Sequence, residues 1–229
     1  MTQIKYYAVV PAAGVGKRMQ AAKPKQYLPL AGKAVLEQTL IRLLSAEVFS
    51  VIAVAVSKED PYWRELEISQ HTKIITANGG VERSDSVLSA LTALENQASD
   101  DDWVLVHDAA RPCITSSDIK YLINSLKDEV FGGILAVASH DTLKQVNGNS
   151  IEMTLDRSKV WRALTPQMFR YGVLKKALQQ TQGNLAVTDE ASAIELTGGL
   201  AKIVEGRADN IKITRPEDLA LAEFYLEQQ

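Results

Sequence analysis

The chain has 229 residues, 46% of them hydrophobic, with 25 Lys and Arg against 28 Asp and Glu for a net charge of −3. A chain of that length buries roughly 70% of its unfolded surface, and this charge balance offers no global basic field for nucleic acid or anionic lipid. The lone Cys113 excludes an internal disulfide, and no apolar run approaches the ~20 residues of a membrane span.

Met1-Thr2-Gln3-Ile4-Lys5 leads into a strand rather than a secretory segment, so the cytoplasm is the expected compartment. Tyr7–Val10 is a short continuous apolar run, the mark of a strand covered on both faces. Through Pro11 it empties into Ala12-Ala13-Gly14-Val15-Gly16-Lys17-Arg18-Met19, a small-residue loop whose backbone N–H groups can close around phosphate. The dinucleotide pattern G-x-G-x-x-G fails at Met19, and the NTPase pattern G-x-x-x-x-G-K-[ST] fails at Pro11 and Arg18. What remains is a glycine turn flanked by two cations, Arg18 and, beyond Lys23-Pro24, Lys25.

Further along, Val51–Val56, Val104–Val106 and Ile134–Val137 repeat the buried-strand pattern. Between them fall helical spacings at Leu36, Leu40 and Leu43, at Val87, Leu91 and Leu94, and at Ile119, Leu122 and Leu126. This alternation predicts an α/β, Rossmann-like fold: one domain over residues 1–229 with a mostly parallel twisted sheet and helices on both faces. From Asp141 to Val146 and from Ile151 to Asp156 apolar and polar residues alternate across Asn147-Gly148, which predicts a β-hairpin at about 139–160. Such a ribbon is marginal alone, so it either packs on its own domain or projects as an arm against a second subunit. Val173, Leu174, Ala177 and Leu178 suggest a helix, and Thr188 reads as the N-cap of another. Ile203-Val204 and Ile211-Lys212-Ile213 are strand candidates, and Thr214-Arg215-Pro216-Glu217 opens a final helix with Leu219, Ala222 and Leu226 inward.

Ligands of open α/β sheets bind beyond the carboxyl ends of the strands, where three charged turns fall: Gly14–Lys25, His107–Pro112 and Gly206–Lys212. Asp108 in the second reads either as a helix cap or as a ligand of Mg²⁺ or a substrate hydroxyl, alone or with Asp209 of the third. His71, His107 and His140 lack zinc-like spacing and read as structural. A fourth turn, Gly79-Gly80-Val81-Glu82-Arg83-Ser84-Asp85-Ser86, permits close approach to a flat base bordered by Arg83 or Ser86, and it also reads as a capped helix start.

Together these segments resemble the 2-C-methyl-D-erythritol 4-phosphate cytidylyltransferase family of the non-mevalonate isoprenoid pathway. The match is carried by Pro11–Met19, Pro24-Lys25-Gln26-Tyr27, Gly79-Gly80, Glu82-Arg83, Asp85-Ser86-Val87, Val106–Pro112, Asp141-Thr142, Asp156-Arg157, Leu164-Thr165-Pro166-Gln167, Thr188–Ser192, Glu205-Gly206-Arg207 and Asn210-Ile211-Lys212, in the family's order across nearly the whole chain.

The resemblance implies CMP transfer from CTP to methylerythritol phosphate with Mg²⁺ or another divalent cation. Pro11, Ala12, Ala13, Gly14, Gly16, Arg18, Lys25, Gly80, Arg83, Ser86 and Asp108 would line the CTP site, with Arg18 and Lys25 stabilising charge at the α-phosphate. Asp108, Arg111, Thr142, Arg157, Thr165, Thr188 and Lys212 would surround the acceptor, with Arg157 and Lys212 positioning its phosphate. It also implies a homodimer in which the arm carries Arg157 into the partner's site. Val81 departs from a position commonly acidic in the family, which removes any side-chain contact made there. With Lys212 one helix from the end of the sequence, the second pathway enzyme that some relatives carry as a fusion is not expected here. Two other readings are a ribitol-phosphate or other sugar-phosphate cytidylyltransferase and a non-catalytic nucleotide-binding module. The joint presence of Arg18, Lys25 and Lys212 argues against the latter, because a sensor needs binding but not transition-state cations.

Overall fold

The computed structural model describes residues 3–14, 19 and 23–229. Its first strand, β1 (Tyr6–Pro11), is followed by a two-stranded ribbon of β2 (Pro29–Leu30) and β3 (Lys33–Ala34), then α1 (Val35–Ser45) and β4 (Val51–Val56). Next come β5 (Ile74–Asn78), α2 (Arg83–Ala93), β6 (Trp103–Val106), α3 (Ser116–Leu126) and β7 (Gly132–Ala138). The hairpin strands β8 (Lys144–Asn147) and β9 (Ser150–Thr154) precede β10 (Trp161–Arg170), α4 (Tyr171–Gln180), α5 (Glu190–Leu196), β11 (Lys202–Glu205) and α6 (Glu217–Glu227).

Seven strands form one mixed sheet in the order β11-β7-β10-β6-β1-β4-β5. All neighbours are parallel except β10, which runs antiparallel to both β6 and β7. Alternation along each strand sends side chains into two separate cores. Ala8, Val10 and Leu105 join Leu36, Leu40, Ile119 and Leu122 on one face. Tyr7, Val9, Val104 and Val106 join Val87, Leu91, Leu174 and Ile194 on the other. Helices therefore cover both faces, as the continuous apolar runs require. No helix among the described residues is long and apolar enough to cross a membrane.

Besides the short β2–β3 ribbon, two strands of the main sheet lie outside the expectation. β5 is short and mixed, and β10 contains Thr165, Pro166 and Gln167, a composition that argues against a central strand. β10 accommodates them through a register shift between Ala163 and Gln167. Conversely, Ile211–Ile213 forms no strand: the Ile213 N–H donates to Ala110 O at 2.8 Å, so this segment lies over the turn after β6 instead of extending the sheet. The N-cap of α5 is Asp189, not Thr188, because the Asp189 carboxylate accepts from Ser192 N–H at 2.9 Å. The hairpin is present with its turn at Gly148-Asn149, one residue later than expected, since a register shift at Gln145/Val146 moves the closing pair to Asn147 and Ser150. Every residue of β8 and β9 is exposed, so the ribbon does not pack on its own core.

Candidate active site

The strand order reverses around β1: the chain passes to β4 and β5 on one side, then returns to β6 on the other. The carboxyl ends of β1, β5 and β6 consequently open into one crevice, the usual ligand position in such sheets. Backbone bonds fix its rim, with Ala12 N–H donating to Ala55 O at 2.7 Å and Gly79 N–H to Val56 O at 2.6 Å. Gly79 is needed for this closeness, because a Cβ there would collide with the Ala13 Cβ. Buried Gln26 braces the loop after β1 by donating to Ala12 O at 2.7 Å, a role its type and position do not announce.

Pro11, Ala12, Ala13, Gly14, Lys25, Gly80, Arg83, Ser86, Asp108 and Lys212 line one cleft here. These are residues expected at the nucleotide site, together with one expected to position the acceptor. Gly16 and Arg18 lie outside the described residues. Ser86 is committed locally, accepting from Gly80 N–H at 3.0 Å and donating to Glu82 O at 3.3 Å. The turn after β5 is thus both a cleft wall and the start of α2, whose N-cap is Glu82. Val81 also lines the cleft and is 95% exposed.

Asp108 is the hub. Its Oδ1 accepts from Arg83 Nε at 3.1 Å, and its Oδ2 meets Lys212 Nζ at 2.9 Å and Arg111 Nε at 3.3 Å. Burial alone would raise this carboxyl, but Arg83, Lys212 and Arg111 together hold it well below the usual carboxylate range. Arg83 continues to Glu190, a fully buried residue at the start of α5, through bonds of 2.6 and 3.1 Å. Burial pushes the Glu190 carboxyl up while the Arg83 guanidinium pulls it back. Arg111 Nη1 also donates to Asn210 O at 2.8 Å, and Lys25 Nζ to Ile213 O at 2.8 Å. Arg83, Arg111 and Lys212 thus gather around the two buried carboxylates Asp108 and Glu190, and with Lys25 on the same cleft the cations outnumber the two carboxylates, which favours an anion.

Other expected residues fall elsewhere. Thr165 is buried behind Asp108 and accepts from its N–H at 3.1 Å. Thr188 is exposed on a neighbouring cavity that shares the wall residues Glu82 and Arg83. Thr142 and Arg157 flank the hairpin outside the cleft lining, and Arg157 Nη1 donates to His140 O at 2.9 Å. Asp209 pairs with Arg207, which also reaches Asp118 at 3.3 Å, and it is not part of the cleft wall. No group of three His, Cys, Asp or Glu among the described residues is arranged to hold a metal. A cation here would therefore depend on Asp108 and the substrate's own phosphates, a donor set that Mg²⁺ commonly uses.

Residues 6–228 match the family model described as IspD: 2-C-methyl-D-erythritol 4-phosphate cytidylyltransferase. A protein of that name from Vibrio vulnificus is 54% identical over 225 residues, covering 97% of this chain and 94% of the relative. One from Pseudomonas putida is 52% identical over 217 residues, covering 93% and 92%. Among solved structures, the Francisella tularensis 2-C-methyl-D-erythritol 4-phosphate cytidylyltransferase superposes with a TM-score of 0.84 at 40% identity, covering 96% of this chain and 99% of that one. With agreement over both sequence and fold, this chain belongs to the 2-C-methyl-D-erythritol 4-phosphate cytidylyltransferase family.

Proposed function

We propose that the cleft binds CTP and 2-C-methyl-D-erythritol 4-phosphate and joins them. A phosphate oxygen of the acceptor attacks the α-phosphorus of CTP, the bond from that phosphorus to the β-phosphate oxygen breaks, and pyrophosphate leaves. The product is 4-diphosphocytidyl-2-C-methyl-D-erythritol. The observation that carries this reading is the cation cluster on Asp108 at the ends of β1, β5 and β6, within a chain of this family.

Two polyanions must meet, so positioning and charge neutralisation supply nearly all of the catalysis. Ala13 and Gly14, beyond the Ala12 N–H that is spent on Ala55 O, would offer N–H groups to the triphosphate, and Lys25 would meet charge developing at the α-phosphate. The Gly80–Ser86 turn would hold cytosine, with Arg83 narrowing the space for a larger base. Lys212, steered by Asp108, would hold the acceptor phosphate. Thr188 would meet the acceptor from the neighbouring cavity, and Asp108 and Arg111 would frame its polyol. No general base is required, because a phosphate monoester with a second pKa near ~6 is already largely ionised at neutral pH. Mg²⁺ bound with the nucleotide would neutralise triphosphate charge, and Asp108, kept ionised, is the buried cleft carboxylate able to share it.

We read the chain as one nucleotidyltransferase domain acting as a homodimer. Support comes from the exposed apolar side chains Val146, Ile151 and Met153 on a ribbon with no core of its own. Arg157 and Thr142 at its base would then serve the partner's cleft. A cytoplasmic location fits the single free thiol, Cys113. The test is incubation with each of the four nucleoside triphosphates, Mg²⁺ and either methylerythritol phosphate or ribitol phosphate, monitoring pyrophosphate. Release confined to CTP with methylerythritol phosphate is expected; preference for ribitol phosphate or UTP would overturn the assignment.

A further inference from the structure

His107 is fully buried beneath Asp108, and both of its ring nitrogens have partners. Nε2 lies 3.0 Å from the carbonyl oxygen of Arg111, and Nδ1 lies 3.0 Å from Thr165 Oγ1. A carbonyl oxygen only accepts, so Nε2 carries the proton. Wholly buried, with a carbonyl and a hydroxyl rather than a carboxylate at its two nitrogens, the ring is held neutral. With one proton on the ring, Nδ1 accepts, and the Thr165 hydroxyl is its donor. The same hydroxyl oxygen accepts from Asp108 N–H at 3.1 Å. A single directional chain therefore runs from Asp108 N–H through Thr165 and His107 to the Arg111 carbonyl.

We infer that His107 is a positioning residue that takes the Thr165 hydroxyl proton and so locks the turn presenting Asp108 and Arg111. The resemblance alone suggests Thr165 as an acceptor contact. With its proton committed, Thr165 has only a lone pair left, which could receive a substrate O–H but could give nothing to a phosphate oxygen. That last consequence rests on the cytidylyltransferase reading, whereas the proton arrangement stands on the geometry alone.

The direct test is the ¹⁵N spectrum of wild-type protein labelled at histidine, near neutral pH, with the His107 signals assigned by their loss in His107→Asn. A protonated Nε2 and an unprotonated Nδ1 are expected. The reverse tautomer or an imidazolium pattern would overturn the inference, whatever any variant does. The second test separates positioning from bulk packing. In His107→Asn the amide oxygen can stand in for Nδ1, whereas His107→Gln reaches towards the Arg111 carbonyl without that acceptor. A net neutral hydrogen bond corresponds to roughly five- to tenfold, so His107→Asn should exceed His107→Gln by about that factor in kcat/KM for the acceptor, with CTP affinity equal in the two. In a Thr165→Val background the difference should vanish; its persistence there, or its absence in the Thr165 background, would refute the coupling. Should the wild-type protein turn over no acceptor phosphate while its ¹⁵N pattern is as expected, the functional reading fails and the His107 arrangement stands.

Discussion

Asp108 stays charged because three cations outweigh the cost of its burial, and His107 beside it stays neutral because burial outweighs everything else. These opposite outcomes set the acid side of stability. An ordinary histidine titrates near ~6.5, so on acidification the unfolded chain takes up a proton before the folded one does, and stability falls with pH across that interval. With the folded His107 at about 4, the loss amounts to about 3 kcal/mol between pH 6.5 and pH 4. Below roughly pH 4 the depressed Asp108 adds its own loss, since its pairing stabilises only while it is ionised. Urea melts across this range should therefore show a steep acid limb. His107→Asn should flatten it above pH 4 and leave the steeper part below; an unchanged slope there would contradict the assignment. At the cleft, Lys25→Ala should lower kcat by about 10²–10³ with a smaller change in CTP affinity, the pattern of a group that meets transition-state charge. A rise in KM for CTP alone would reduce Lys25 to ground-state binding. Lys25, Arg83, Asp108 and Lys212 are legible in the sequence because charge sits in turns after apolar runs. Glu190 and His107 are not, because what defines them is a partner 107 residues away in one case and 58 in the other.

Elements whose faces are uniform announce themselves, and β1, β4, β6 and β7 do so as unbroken apolar runs flanked by helical spacings. β10 does not, because its polar residues work inside the sheet: Gln167 donates to Asp189 at 2.8 Å and accepts from Ala191 N–H at 3.0 Å, fixing the start of α5. Asn210 likewise spends its side chain on the Thr165 carbonyl at 2.8 Å, which explains why the apolar pair around Lys212 crosses the β6 turn rather than joining the sheet. The hairpin is legible as a ribbon by its alternation, whereas its destination is not, since every residue of its two strands is exposed and none packs on its own core. If Ile151 and Met153 seat the arm on a second subunit, Ile151→Glu with Met153→Glu should convert the protein to monomer in sedimentation velocity runs. The far-ultraviolet dichroism should stay nearly unchanged, because neither residue belongs to any of the three buried cores. A dimer that survives both charges would remove the arm from the interface.

At the scale of the whole molecule, the reversal of strand order at β1 brings the turns after β1, β5 and β6 to one crevice, the segment after β11 reaches it by crossing the β6 turn, and the arm base lies apart from it. If Arg157 serves the partner's cleft, mixing inactive Lys25→Ala and Arg157→Ala homodimers should restore activity, because each mixed dimer then holds one intact site. With subunit exchange confirmed independently, failure to recover activity would return Arg157 to its own subunit. The central claim is that the acceptor's phosphate oxygen attacks the α-phosphorus of CTP. It is tested most directly with methylerythritol phosphate carrying ¹⁸O on its non-bridging phosphate oxygens, followed by mass spectrometry of both products. All of the label should be retained in the diphosphate product, with one labelled oxygen now bridging the two phosphorus atoms, and the released pyrophosphate should be unlabelled. Label in pyrophosphate, or its loss to water, would contradict the account.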